Sequence, residues 1–126
     1  MNKQIISTTD APAAIGTYSQ AVRVGNTIWV SGQIPIDPRT KELVTGDVEA
    51  EIRQVFDNLK AIVVAAGATF DHVVKANVYL TDLSHFVLVN KVMAECFREP
   101  YPARAAVGVA ALPRGARVEV ECIVAL

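Results

Sequence analysis

Residues 48–80 read VEAEIRQVFDNLKAIVVAAGATFDHVVKANVYL, and two periodicities follow one another in this stretch. Val48, Ile52, Val55, Phe56, Leu59, Ile62, Val63 and Ala66 recur three and four residues apart, so they share one stripe of an amphipathic helix. Asp47 stands at the N-cap position and Gly67 where the helix must stop. At 1.5 Å per residue such a helix is about 28 Å long. Its other side carries Glu49, Arg53, Asp57 and Lys60, the pattern of a solvated face. After Gly67 the period drops to two. In Val73–Leu80, the even positions Val74, Ala76, Val78 and Leu80 are smoothly apolar and suit a helix-covered side, while Lys75, Asn77 and Tyr79 point the other way.

Glycine and proline cut the flanking sequence into short elements. Lys3–Ser7, Gln20–Val24 and Thr27–Gln33 are β-rich, the last two joined by Gly25-Asn26, a hairpin signal. A second helix begins after Asp82 or Ser84, carries the stripe Phe86, Val89, Met93, Cys96 and Phe97, and ends before Pro100. Two last strands, Arg104–Leu112 and Arg117–Val124, are joined through Pro113-Arg114-Gly115. The order β-β-β-α-β-α-β-β places two helices between groups of strands. Two helices cover one face of one sheet most economically, which predicts a two-layer α+β sandwich formed by residues 1–126 as a single domain.

The chain has 126 residues, 52% hydrophobic and 20% charged, with a formal net charge of −1. A chain this apolar is not disordered, and its charge balance offers no footprint for nucleic acid or an anionic membrane. The longest mainly apolar stretch, residues 61–70, is far short of the roughly 20 residues a membrane-spanning helix needs. Residues 1–10 lack the apolar core of a signal peptide, so a soluble, cytoplasmic protein is expected. Cys96 and Cys122 have no metal-ligand spacing and are expected as reduced, buried thiols. No phosphate loop, zinc cluster or HExxH motif is present, and His72 and His85 are expected at the surface with no triad around them.

The sheet face turned away from the helices is mixed: Trp29, Tyr79 and Ile123 stand beside charges and hydroxyls. No remaining segment can cover it. Either it is solvated, or copies of the chain pack these faces together and leave polar groups between subunits. On this background Arg104 is a candidate carboxylate ligand, since Ala106 and Gly108 beside it leave room; an ion pair with Glu119 or Glu121 is the structural alternative. Glu119 is a candidate for proton transfer if half-buried, although Glu121 shares its face and alternation cannot choose between them. Tyr18 lies in a Gly-containing turn, and Ser31-Gly32 ends a strand where the glycine permits close approach.

Residues 11–21 (APAAIGTYSQA), 30–35 (VSGQIP) and 101–105 (YPARA) resemble the reactive intermediate deaminase family (RidA, formerly YjgF). Val74-Lys75, Thr81-Asp82-Leu83, Phe86 through Asn90, Leu112-Pro113 and Val118–Glu121 match in the same order, so the resemblance covers nearly the whole chain. It implies a chorismate-mutase-like sandwich, a barrel-like homotrimer with clefts between subunits, and hydrolysis of enamines and imines such as 2-aminoacrylate, 2-iminobutanoate and 2-iminopropanoate to 2-keto acids and ammonia. These substrates come from pyridoxal-phosphate-dependent dehydratases, and no metal or cofactor is implied. Arg104 matches the family's carboxylate-binding arginine and Glu119 the glutamate associated with the hydrolytic water. Tyr18, Ser31, Gly32 and Asn90 match positions lining the cleft. Thr17 and Ala106 depart from the Pro and Cys of many bacterial relatives, and Ala106 rules out thiol chemistry there. The alternatives from other classes are a non-catalytic binder of small carboxylates, a ribonuclease or translation inhibitor, for which no basic–aromatic stripe is present, and a chorismate mutase, suggested by fold alone.

Overall fold

In a computed structural model describing residues 1–126, the strands are β1 (Lys3–Ile6), β2 (Ala21–Val24), β3 (Thr27–Gln33), β4 (Val73–Leu80), β5 (Ala103–Gly108) and β6 (Val118–Ala125). The helices are α1 (Val48–Ala65) and α2 (Phe86–Cys96). The strands form one sheet in the order β1-β2-β3-β6-β4-β5. Every pairing is antiparallel except β4 with β5, which α2 connects as a parallel crossover, so the sheet of this two-layer α+β sandwich is mixed. Neither helix is long and apolar enough to cross a membrane.

The predicted stripe forms the core. Ile52, Val55, Phe56, Leu59, Ile62 and Val63 of α1 are buried against Ile28 and Val30 of β3 and Val118, Val120 and Val124 of β6. Val89, Val92 and Met93 of α2 join the same cluster over Ala76, Val78 and Leu80. Asp47 caps α1, its side chain accepting from the Glu49 N–H at 3.1 Å, and Gly67 leaves the helix with φ +82°.

Alternation is broken once in β4. A bulge opposite Val124 and Ile123 turns Val73 into the core, 5% exposed, and leaves Val74 47% exposed. Val74 therefore does not face the helices as expected; one extra residue inverts the parity of everything before it. The fifth strand is also shorter than the expected Arg104–Leu112. It ends at Gly108, and the chain turns at Pro113–Gly115, where Arg114 adopts φ +58°.

The polar side of α1 is not simply solvated. Lys91 of α2 donates to Glu49 at 2.9 Å, and Arg53 donates to Glu95 of α2 at 2.6 Å. Two polar side chains lie inside. Asn58 donates to the carbonyls of Ile36 and Ile34 at 2.9 and 3.3 Å, holding the loop after β3. Glu51, whose side chain is 4% exposed, accepts from Nε and Nη2 of Arg117, tying α1 to the segment entering β6.

That pair is asymmetric, since the Arg117 side chain is 39% exposed. Arg117→Met strands a buried carboxylate and is expected to cost about 2–4 kcal/mol, whereas Glu51→Gln leaves a guanidinium that water can reach and costs less. Urea unfolding of both variants checks this; equal costs, or the reverse order, would show that the carboxylate is not confined.

Candidate active site

Strand parity places the functional groups. On the side of the sheet away from the helices, β6 presents Glu119, Glu121 and Ile123. Tyr79 and Asn77 of β4 stand opposite the two glutamates, and Trp29 of β3 stands opposite Ile123. No segment of the chain covers this face. One end is apolar, with Ile5 54% and Trp29 47% exposed.

At the other end a cleft of about 620 Å³ opens, lined by Tyr18, Ser31, Gly32, Arg114, Glu119 and Glu121 among others. Its rim is held by Gln20, which is buried before β2 rather than opening that strand as expected. The Gln20 amide donates to the carbonyls of Thr8 and Pro12 at 3.0 and 2.8 Å and accepts from the Thr8 N–H at 2.7 Å. Ser31 Oγ donates to the Ser19 carbonyl at 2.5 Å, fastening the Tyr18 turn to the end of β3.

Gly32 is required for space. A Cβ there would lie 2.8 Å from Glu119 Oε2 and 2.9 Å from its carboxyl carbon. The group that approaches this glycine closely is the Glu119 carboxylate. The two glutamates are also distinguished here. Glu121 accepts from the Tyr79 hydroxyl at 2.5 Å, a bond that pushes the phenol's pKa up. Burial, then the neighbouring Glu121 charge, pushes the Glu119 carboxyl above the usual carboxylate range.

Arg104 lies elsewhere. It pairs in register with Ala76, whose side chain is in the core, so it leaves β5 on the helix side of the sheet edge. Its Nη1 donates to Asn90 Oδ1 of α2 at 2.9 Å, and its guanidinium carbon sits 4.6 Å from the centroid of the Phe86 ring. No carboxylate pairs with it, so the alternative ion pair with Glu119 or Glu121 does not form. Tyr101, Pro102, Met93 and Phe97 complete a pocket of about 340 Å³ around Arg104 and Asn90.

The expected site residues therefore fall into two groups within one chain: Tyr18, Ser31, Gly32 and Glu119 in one cleft, Asn90 and Arg104 in another pocket. β4 lies between β6 and β5, so the two groups are separated by about 10 Å of sheet and leave it on opposite faces. Acids of three or four carbons cannot bridge them inside one protomer. Phe86, expected only as part of the α2 stripe, and Tyr79 and Gln20 were not anticipated as parts of either group; their contacts depend on how α2 and β4 are placed.

No three His, Cys, Asp or Glu side chains converge as a metal site would require. Burial pushes the Cys122 thiol up to about 12 and that of Cys96 above its ordinary value. Both are protonated at neutral pH and unsuited to nucleophilic work. His72 and His85 are half-buried, and neither lines the cleft or the Arg104 pocket.

A two-layer α+β protein with an acid–base cleft on its open face and an unpaired guanidinium at its edge is the class these features define. Residues 8–126 match the family model described as endoribonuclease L-PSP, and the chain belongs to that family, which includes the RidA/YjgF proteins. It is 52% identical over 98% of its length to the 2-iminobutanoate/2-iminopropanoate deaminase of Dermatophagoides farinae, covering 97% of that protein. The crystal structure of RidA from an Antarctic Psychrobacter superposes with a TM-score of 0.94 at 57% identity, over 98% of this chain and 99% of that one. That of E. coli TdcF with bound serine gives 0.92 at 42%, over 98% of each chain.

Two outcomes follow from the Glu119 environment. Gly32→Ala is expected to push the Glu119 carboxylate aside; because that group is the far end of a flexible side chain, thermal stability changes little while the cleft is disordered, which a crystal structure of the variant would reveal. Folding also raises the Glu119 pKa, so its charge costs stability above the folded-state pKa and costs nothing below the unfolded value of about 4, where both states are neutral. Glu119→Gln is therefore expected to be more stable than wild type at pH 7, with the gain lost near pH 4. A gain that is equal at both pH values would contradict the assignment.

Proposed function

We propose that this protein hydrolyses small 2-imino acids and their enamine tautomers, 2-iminobutanoate and 2-iminopropanoate among them, to 2-keto acids and ammonia, with no metal or cofactor. The observation that supports this reading most is the contrast between Arg104, a guanidinium with no acid partner, and Glu119, a desolvated carboxylate with no donor from its own chain. A 2-imino acid needs both: a fork of N–H donors for its carboxylate and a proton carrier beside its C=N bond. The similarity to a curated deaminase along almost the entire chain points the same way.

The two groups come together if protomers associate. In the proposed homotrimer the open sheet faces are buried against one another, covering Ile5 and Trp29, and the β5 edge of one protomer brings Arg104 and Asn90 to the Tyr18–Ser31–Glu119 cleft of the next. Arg104 then holds the substrate carboxylate, Asn90 and Phe86 keep the guanidinium in place, and Gly32 leaves room for Glu119 to face the imine carbon. Water adds to the carbon of the protonated imine, giving one proton to Glu119, while the C=N electron pair moves to nitrogen and leaves a neutral amine on the carbinolamine. Glu119 returns its proton to the nitrogen of the carbinolamine; the C–N bond breaks, the hydroxyl proton is lost, and keto acid and ammonia leave. The imine carbon is already electrophilic, so positioning the water supplies much of the acceleration. The setting is the cytoplasm, next to dehydratases that release such imines, and no nucleic-acid partner is proposed.

The presence of serine in the TdcF structure favours one alternative, a binder of small amino or keto acids without turnover. The ribonuclease reading gains nothing from a cleft lined by two carboxylates, which repel a phosphodiester. Coupling serine or threonine dehydratase to this protein and following keto-acid release separates these readings. The wild type is expected to outpace spontaneous hydrolysis. Arg104→Ala should lose substrate binding, raising KM by about tenfold or more, and Glu119→Gln should keep binding and lose about 10²-fold in kcat. No acceleration by the wild type would leave the binder, and unchanged kinetics in both variants would reject the site.

A further inference from the structure

Glu119 does not stand alone in its cleft. Glu121 follows two residues later on the same face of β6, about 7 Å along the strand, and lines the same cleft. Its carboxylate is not free to turn to solvent, because Tyr79 Oη donates to Oε1 at 2.5 Å. The Tyr79 backbone is in register with Glu119, and Asn77 with Glu121. The phenol therefore reaches diagonally across the sheet and secures the second carboxylate next to the first.

We propose that Tyr79 and Glu121 are positioning residues for Glu119: the phenol pins Glu121, a second carboxylate is thereby held beside the proton carrier, and this arrangement sets the pH at which the site takes up its proton. The proposal rests on the reading of Glu119 as the group that accepts the proton of the attacking water. A neighbouring negative charge makes that acceptance more favourable and return of the proton less favourable by the same amount, so its placement sets the balance between the two steps. The other groups around Glu119 are Tyr18 from the preceding turn and Arg114 from the turn before β6, both lining the cleft, with Ser31 and Gly32 from β3. Arg114 forms no salt bridge, and Lys75 stands further along β4 opposite Ile123. In the assembled cleft Arg104 of the adjoining protomer adds a positive charge, common to wild type and variants.

The test is a carbon-13 NMR titration of the Glu119 side-chain carboxyl in the whole protein, in wild type, Glu121→Gln and Tyr79→Phe, together with the pH dependence of kcat/KM for imine hydrolysis. Glu121→Gln removes the charge and keeps a partner for the phenol. Tyr79→Phe keeps the ring and the charge and releases Glu121. The Glu119 midpoint, and the acidic limb of the rate profile, are expected to move to lower pH in both variants. An unmoved Glu119 midpoint in either variant overturns the proposal, since a bond that only braces the sheet would not shift it. If the wild type hydrolyses no imine, the catalytic reading fails on its own, and the NMR midpoints still decide whether Tyr79 and Glu121 govern Glu119.

Discussion

The side chains of a strand leave on alternate sides, and this chain has enough helix to cover only one side of its sheet. α1 and α2 bury the row running through Ile28, Val30, Val78, Val118, Val120 and Val124. The opposite row, with Trp29, Ser31, Tyr79, Glu119 and Glu121, receives no cover from its own chain. From this one-sidedness come both the apolar surface that asks for a second copy and the cleft in which two carboxylates lie near each other. A third helix would remove both.

The distribution of charge separates structure from function. Arg117 is matched by Glu51, Arg53 by Glu49 and Glu95, Arg98 by Asp71 and Arg39 by Asp37. These pairs knit helices and loops and leave little capacity for a ligand. Arg104 instead rests on an amide, a thioether sulfur and an aromatic ring, all through Nη1 and the ring face, and its Nε and Nη2 donors have no partner. Glu119 fits where it does because Gly32 has no side chain, and burial and the Glu121 charge both disfavour its ionisation. A desolvated carboxylate near a second one is costly to keep charged, and it stands apart from the paired carboxylates of the helices and loops.

Much of this was legible in the residues themselves. The change of period at Gly67 located α1 and β4, and the lack of a cover for the second face followed from counting elements. Glu119 and Arg104 were identifiable by type and neighbourhood. The parity of Val74 was not, because a bulge is one residue of slack whose position depends on β6. Nor was the Glu51–Arg117 pair, which joins residues far apart in sequence. Alternation could not choose between Glu119 and Glu121; the Tyr79 hydroxyl gives the two different surroundings, through a diagonal contact that needs the register of β4 on β6. The separation of Arg104 from Glu119 also stayed hidden, since it depends on β5 joining the sheet beyond β4 and turning its arginine to the helix side.

A site divided between protomers can be tested by mixing them. Chains carrying Arg104→Ala and chains carrying Glu119→Gln, each nearly inactive alone, are unfolded together and refolded in equal amounts. If Arg104 of one protomer serves Glu119 of the next, about one quarter of the clefts in randomly assembled trimers regain both groups, and imine hydrolysis returns to about that fraction of wild type. Activity that stays at the level of the separate variants, in mixtures shown to contain hybrid oligomers, would contradict the shared cleft.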